Sequence, residues 1–457
     1  MSRTILLDKA TIITAGKECK GSVLISEGYI AEVMYADDES YDEQVRHALQ
    51  ACPDAEVIDL EGKWLMAGGI DAHVHFREPG LTHKADMSTE SAAAAAGGVT
   101  AVMDMPNTIP AATDAQTIND KAIASEGRCT GHVMFHIGAT NSNVEEACRT
   151  ASEGDEKAGL AAEKIAGVKA FLGSSTGNML IDDAGALEKL FSICRKPLLV
   201  HCEDEGIIKE NMRLAKEKFG EDVPFCEHEN IRSRRACIKS SIKALEMAIR
   251  HKTRLVLCHI STKEELEMVR AAKLSNPDIL AETSCNYLWF SNQDYERLGS
   301  RLKCNPSVKT PQDREALREG LRNGLIDMIG SDHAPHLLSE KQMDYFHAPS
   351  GLPSIQQSLP VLLTVAEQEA IPLSRIASVF SEKASEVYEL KRGKIRKGYA
   401  ADIVIFDLER KFTVRNDDQL YKCGWTPYEG EELQGAIETV LVDGKEVIRN
   451  GKLQKEA

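Results

Sequence analysis

Nowhere in the 457 residues do about eighteen apolar side chains follow one another, the length that a bilayer-crossing helix needs. The N-terminal stretch MSRTILLDKATIITAG has neither a long apolar core nor a small-residue cleavage site, so an unexported, cytoplasmic protein is expected. Positive charge is also short: 55 Lys and Arg stand against 71 Asp and Glu, a formal net charge of -16. Phosphate backbones and anionic lipids are held by clustered Lys and Arg, so neither nucleic acid nor a membrane is an expected partner. The twelve cysteines, scattered from Cys19 to Cys423, contain no Cys-x-x-Cys pair. Reduced thiols, mostly in the core, are the expectation for such a pattern in a long chain. Repeats and low-complexity linkers are missing too.

What the chain does have is enough apolar sequence, 42% hydrophobic residues, to bury a barrel-sized core beside a smaller companion. The first sixty residues alternate short strand-like runs (TILLD, ATIIT, GSVLISEG, EVIDLEG) with Gly and acidic turns. The same texture returns near the end in ADIVIFDLE, KFTV and ETVLVDGKEVIRNG, so residues 1–60 and 385–457 are expected to build one small β-sandwich. Between them, over 61–384, apolar strands alternate with helical stretches, the signature of parallel βαβ units. Eight strand runs can be counted: WLMAGGIDAHVHF, VTAVMDMP, GHVMFHIGAT, GVKAFLG, PLLVHCED, RLVLCHIST, DILAETS and DMIGSDHAPH. Eight closes a (β/α)8 TIM-like barrel, and the predicted fold class is α/β. STESAAAAAGG reads as a Ser-started helix with a Gly stop, and SRRACIKSSIKALEMAIRH and STKEELEMVRAAK carry helical apolar spacing. The irregular run HLLSEKQMDYFHAPSGLPS after the eighth strand is placed over the barrel mouth.

The strongest local signal is Asp71-Ala-His73-Val-His75-Phe-Arg77, at the end of the first barrel strand. Alternation puts His73, His75 and Arg77 on one face, and two imidazoles so spaced can share a metal ion. A His-x-His pair alone is weak evidence. Here the fifth strand also ends in His201, the sixth in His259 and the eighth in Asp332, all at the rim where barrel enzymes carry their chemistry. Lys169 lies inside the apolar fourth strand, where an unpaired ammonium is costly. A neutral amine there can add carbon dioxide, and the resulting carbamate could bridge two cations. The bland reading, a lysine that snorkels to the rim and pairs with an acid, stays open on spacing alone. Two bridged metals would supply a hydroxide nucleophile and a Lewis acid, with Asp332 passing the proton from nucleophile to leaving nitrogen. Arg77 offers a fork for a substrate carboxylate, and Asn107 and His336 add donors.

Asp71-Ala-His73-Val-His75-Phe-Arg77-Glu-Pro-Gly80, Met105-Pro-Asn107-Thr108, Gly167-Val-Lys169, Leu199-Val-His201-Cys-Glu203, Cys258-His259-Ile-Ser261 and Gly330-Ser-Asp332-His-Ala-Pro-His336 together resemble the dihydroorotases of the amidohydrolase superfamily. The resemblance implies two zinc ions per subunit, one on His73 and His75, the other on His201 and His259, bridged by carboxylated Lys169. Asp332 would contact the first and act as general base and acid. It further implies that Arg77, Asn107 and His336 hold the substrate carboxylate, with Asn305, Ser350 and Gly351 also touching substrate. The expected reaction is reversible hydrolysis of the cyclic amide of dihydroorotate to carbamoyl aspartate, towards pyrimidines. The expected partners are that small molecule and copies of the chain in a homo-oligomer, a dimer or tetramer. Gly173-Ser-Ser-Thr-Gly177 is a candidate loop over the substrate.

The chain departs from the family pattern in three places. Glu282-Thr-Ser-Cys-Asn-Tyr287 replaces a Pro/His-rich run, Asn305-Pro-Ser-Val-Lys309 replaces Asn-Pro-Pro-Leu-Arg, and Lys169 stands where many bacterial relatives have Asp. The last places the chain in the lysine-bearing branch shared with hydantoinases and allantoinases, which are the nearest rival readings. A non-catalytic scaffold of the dihydropyrimidinase-related kind is the rival from another class, and the filled ligand positions argue against it.

Overall fold

The computed structural model describes residues 4–173 and 179–454, so all but the first residue of the Gly173–Gly177 loop lies outside the described residues. Five strands precede the barrel: β1 (Ile5–Thr14), β2 (Lys17–Ser26), β3 (Tyr29–Tyr35), β4 (Glu56–Asp59) and β5 (Trp64–Ala67). The barrel strands are β6 (Gly69–Val74), β7 (Val99–Asp104), β8 (His132–Gly138), β9 (Ile165–Phe171), β10 (Leu198–His201), β11 (Leu255–Leu257), β12 (Ile279–Thr283) and β13 (Met328–Ile329). Four more follow: β14 (Ile403–Thr413), β15 (Glu432–Val442), β16 (Lys445–Arg449) and β17 (Lys452–Leu453).

Strands β6 to β13 form an eight-stranded sheet in sequence order, parallel at every step. A parallel bridge between Val74 and His333, with His75 N–H donating to His333 O at 2.8 Å, joins the first strand's end to the segment after the eighth. That junction closes the barrel, as eight strand runs predict. Its interior is filled rather than hollow: Ile70, Ala72, Met103, Ala166, Leu199, Val256, Leu280 and Met328 pack together, with Val387 and Tyr388 against them.

The terminal segments form one continuous nine-stranded sheet, in which β14 pairs β5 and β5 pairs β1. Alternation decides what each face buries. Ile12, Leu65, Ile403, Ile405 and Leu441 make a core of their own. Their neighbours Ile13, Met66, Val404, Phe406 and Val440 join the large core under the barrel helices. Here the reading of WLMAGGIDAHVHF as one strand needs correction: it splits into β5 and β6, one in each sheet. The chain changes sheets between Gly68, whose N–H bonds Asp402 O in register with the β5–β14 ladder, and Gly69, whose N–H bonds Gly98 O beside β7.

Helices stand where their periodicity puts them, at Arg234–His251 and Lys263–Lys273. The Ala-rich helix runs Met87–Ala96 and starts one residue before the expected Ser. Asp86 caps it by accepting from the N–H groups of Ser88 and Thr89, and an acidic N-cap also suits the helix dipole. Among the described residues, no helix is long and apolar enough to cross a membrane.

Candidate active site

The strand ends that form the barrel mouth bring five predicted ligands together with Lys169, all of them buried except the partly exposed Asp332. Asp71, at the base, accepts from the N–H of His73 and from the N–H of Ser331, tying the first strand to the turn that carries Asp332. The His75 and His73 Nε2 atoms then lie 3.1 and 3.5 Å from Asp332 Oδ1. Across the mouth, His201 Nδ1 and His259 Nε2 are 3.0 Å apart, and the His73 and His259 rings, 5.2 Å between centroids, connect the two groups. Lys169 is fully buried, its Nζ 3.3 Å from Cys258 Sγ and 5.0 Å from the centre of the Phe171 ring.

Three residues of this neighbourhood, Arg77, His259 and Asp332, adopt left-handed backbone, with φ of 63°, 39° and 48°. Such a conformation costs a non-glycine residue roughly 1–3 kcal/mol and persists only where the surroundings over-determine it. At Asp332 those surroundings are visible. The next residue, His333, is locked by Nε2 against Glu90 at 2.6 Å and by Nδ1, which accepts from Ser354 N–H. Gly330 is obligatory for another reason, since a Cβ there would sit 2.6 Å from the Glu282 carboxyl and 2.8 Å from the His73 Cβ.

Most of the imidazoles have a partner that fixes the ring. His73 Nδ1 meets Glu282 Oε1 at 2.7 Å, His75 Nδ1 meets Asn107 Oδ1 at 2.7 Å, and His201 Nε2 lies 3.0 Å from Glu203 Oε2. Arg232 backs Glu203 at 2.5 Å. Burial lowers the His73, His201 and His259 imidazoles below their ordinary value, which keeps them neutral and able to ligate. Burial pushes the Asp332 carboxyl up, but the His75 hydrogen bond and the nearby His73 and Lys169 outweigh it, so the group stays below its usual range. The Glu203 carboxyl falls to about 2 because Arg232 and His201 overcome its burial. Glu282 rises to about 7, burial being the main cause. Neither glutamate was singled out from the sequence as functional. Glu203 carried a signal, two residues after His201 on an alternating strand, and Glu282 showed only as a departure from the family pattern.

The residues present fit cation binding. Buried polar atoms without a hydrogen-bond partner gather at this spot, including His259 Nδ1, Glu203 Oε1 and Glu282 Oε2. Leaving such atoms unmatched is costly, and a cation would satisfy imidazole and carboxylate alike. His73, His75 and Asp332 form one compact candidate group, and His73, Cys258 and Glu282 another. The thiol in the second group was expected to be inert core, and burial pushes it up to about 12.

Around these side chains lies a small cavity lined also by Phe171, Asn305, Ala334, Ser350 and Gly351. The three predicted carboxylate-holding residues stand behind this lining. Arg77 is buried, its Nε donating to Pro335 O at 3.1 Å and its Nη2 lying 3.0 Å from His336 Nε2. His336 Nε2 is also 3.1 Å from Ser350 O, and its Nδ1 is 3.2 Å from Lys84 Nζ. One neutral imidazole cannot serve all three: if Nε2 accepts from Arg77 it cannot donate to Ser350 O. The ring therefore cannot satisfy Arg77, Lys84 and Ser350 O together.

A model of the amidohydrolase family matches residues 64–447, which span the barrel and much of the terminal sheet. The chain belongs to the amidohydrolase family. Among curated relatives, a dihydroorotase of Methanosarcina acetivorans is 36% identical over 387 residues, covering 82% of this chain and 79% of its own. An allantoinase of Desulfitobacterium hafniense is 28% identical over 464 residues, 98% of this chain and 96% of its own. Among solved structures, an L-hydantoinase from Arthrobacter aurescens superposes with a TM-score of 0.88 at 24% identity, covering 99% of this chain and 98% of that one, which shows the fold. This amidohydrolase is an enzyme of the class that hydrolyses cyclic amides.

Proposed function

We propose that this amidohydrolase is a dihydroorotase. It would open the six-membered ring of dihydroorotate to carbamoyl aspartate and close it again, the reverse being the direction of pyrimidine synthesis. The observation that carries the reading is the placing of two cationic donors, Arg77 and Lys84, against His336, a ring that can accept from only one of them at a time. A substrate carboxylate would resolve that conflict, and neither hydantoin nor allantoin brings one. Relatives named dihydroorotase at 31–36% identity agree with it.

In this reading His73, His75, His201, His259, Asp332 and Lys169, the last as a carbamate, would hold two zinc ions. Bound there, zinc supplies Lewis acidity for the amide carbonyl and lowers the pKa of water. The chain's own residues do the rest. Asp332 accepts the proton released as water adds to the carbonyl carbon and returns it to the ring nitrogen as the C–N bond breaks. Glu282, Asn107 and Glu203 keep the imidazole rings oriented. Arg77, Asn107 and His336 receive the carboxylate once Arg77 exchanges His336 for it, while Asn305, Ser350 and Gly351 face the ring from the cavity lining.

A second reading, allantoinase or hydantoinase, draws on a specific observation: Arg77, Asn107 and His336 stand outside the cavity lining. Dihydroorotate, allantoin and hydantoin offered to the zinc-loaded protein separate the two. Turnover of dihydroorotate well above the others is expected. Arg77→Met should then raise the KM for dihydroorotate roughly 10- to 100-fold, the worth of one charge-assisted contact. Preference for a neutral ring, or an unchanged KM, would reject the assignment.

A further inference from the structure

Two lysines that the mechanism above does not use lie beneath the wall. Lys341 is fully buried and Lys303 nearly so, and neither ammonium has a carboxylate partner among the described residues. Each is spent on backbone carbonyls. Lys341 Nζ donates to Lys303 O at 3.0 Å, Pro349 O at 2.8 Å and Gly351 O at 3.2 Å. Lys303 Nζ donates to Tyr345 O and Ala348 O, both at 2.6 Å. Lys303 O also receives Gly351 N–H at 2.9 Å, so one carbonyl joins both lysines to the residue that lines the cavity. Gly351 has φ 146°, and a Cβ there would meet Ala334 O at 2.4 Å and His336 Cδ2 at 3.0 Å.

We infer that Lys341 and Lys303 are positioning residues for substrate charge: they hold the 335–351 wall so that it presents a cationic recess to an anionic cyclic amide. The assignment rests on the substrate reading above and deepens it. Stapling a loop does not by itself require charge, since neutral donors satisfy carbonyls and buried unpaired ammonium groups are expensive. Arg77 and Lys84 add two more cations on the same wall, and against the four stand Glu340, paired with Lys84 at 2.8 Å, and Asp344, whose charge acts on Lys303. Burial lowers Lys341 to about 7 and Lys303 to about 8, so a carboxylate bound nearby would favour their charged forms and be favoured by them.

The test uses the full-length, zinc-loaded protein and two probes. Orotate keeps a six-membered ring and a carboxylate, whereas acetohydroxamate reads the metal centre and leaves the wall alone. Calorimetric titration of Lys341→Met should show orotate bound at least tenfold more weakly, with acetohydroxamate affinity and zinc content within twofold of the parent. Lys303→Met should shift the same way and serves if the first variant does not fold. Unchanged orotate affinity, or equal weakening of both probes, would overturn the assignment, as would failure of both variants to fold, since the lysines would then serve the fold alone. Orotate binding without dihydroorotate turnover in the parent would reject the substrate reading and leave the wall standing. A parent that does not bind orotate would reject the wall.

Discussion

The cavity and the wall behind it are built in opposite ways. Around the cavity, side chains project from strand ends whose spacing the barrel ladder fixes, and His73, His75 and His201 are each held by a second residue. The wall is loop around one helical turn, Leu338–Lys341, given its shape by two lysines that bind carbonyls and leaving Arg77, Lys84 and Ser350 O competing for one imidazole. Such a division is what permits one barrel to serve several cyclic amides: strand ends keep the bond-breaking chemistry, and loops decide which ring is brought to it. It also predicts that damage to each region reads out in a different constant.

The largest effect belongs to the cavity. Asp332→Asn removes the proton acceptor while keeping size and most contacts, and kcat should fall about 10^3-fold, in the range of a lost general base. Steady-state kinetics on zinc-loaded protein should show KM changed far less than kcat. A variant with near-parental kcat would move the proton-transfer role to another group and blur the division.

An intermediate effect tests whether the second ring of the cavity acts through the metal. Glu282→Gln keeps an acceptor for His73 Nδ1 but removes its charge, and zinc affinity, measured by chelator competition, should weaken about tenfold or more. Orotate affinity at saturating zinc should hold. The reverse pattern, intact zinc affinity and weakened orotate, would place Glu282 with the wall.

Much of this division was legible in residue order. Period-two alternation put His73, His75 and Arg77 on one face, and apolar runs between helical stretches counted out eight strands before any contact was known. What escaped has physical reasons. The split of the first run between two sheets depends on Asp402, more than three hundred residues away, holding the Gly68 N–H while Gly98 O takes that of Gly69. Left-handed backbone at His259 and Asp332 has only a weak residue-type signature: Asp and His are enriched there, yet at most positions either is right-handed or extended. Lys341 sits in an irregular stretch where no periodicity marks a buried position, and a lysine there reads as solvated. Burial of charge is decided by the partners that the fold assembles, which is why the wall was harder to read than the cavity.

The smallest effect probes the support of the wall. His228 joins its two sides, Nε2 donating to Cys304 O at 2.8 Å, which leaves Nδ1 to accept from the Tyr345 hydroxyl at 2.7 Å. Burial, and then Lys303, lower its imidazole well below the ordinary value, so the folded protein refuses a proton that the unfolded chain accepts below about pH 6.5. Its contribution to stability is therefore complete above that pH and is lost as pH falls, by up to about 1.4 kcal/mol per pH unit. His228→Gln should be less stable than the parent by about 1–2 kcal/mol at pH 7.5, through lost hydrogen bonding. Because glutamine does not titrate, denaturant unfolding should show that gap narrowing between pH 6.5 and 5. A constant gap would mean that folded and unfolded chains take up the His228 proton alike, and the wall would then gain a cation as pH falls below about 6.5.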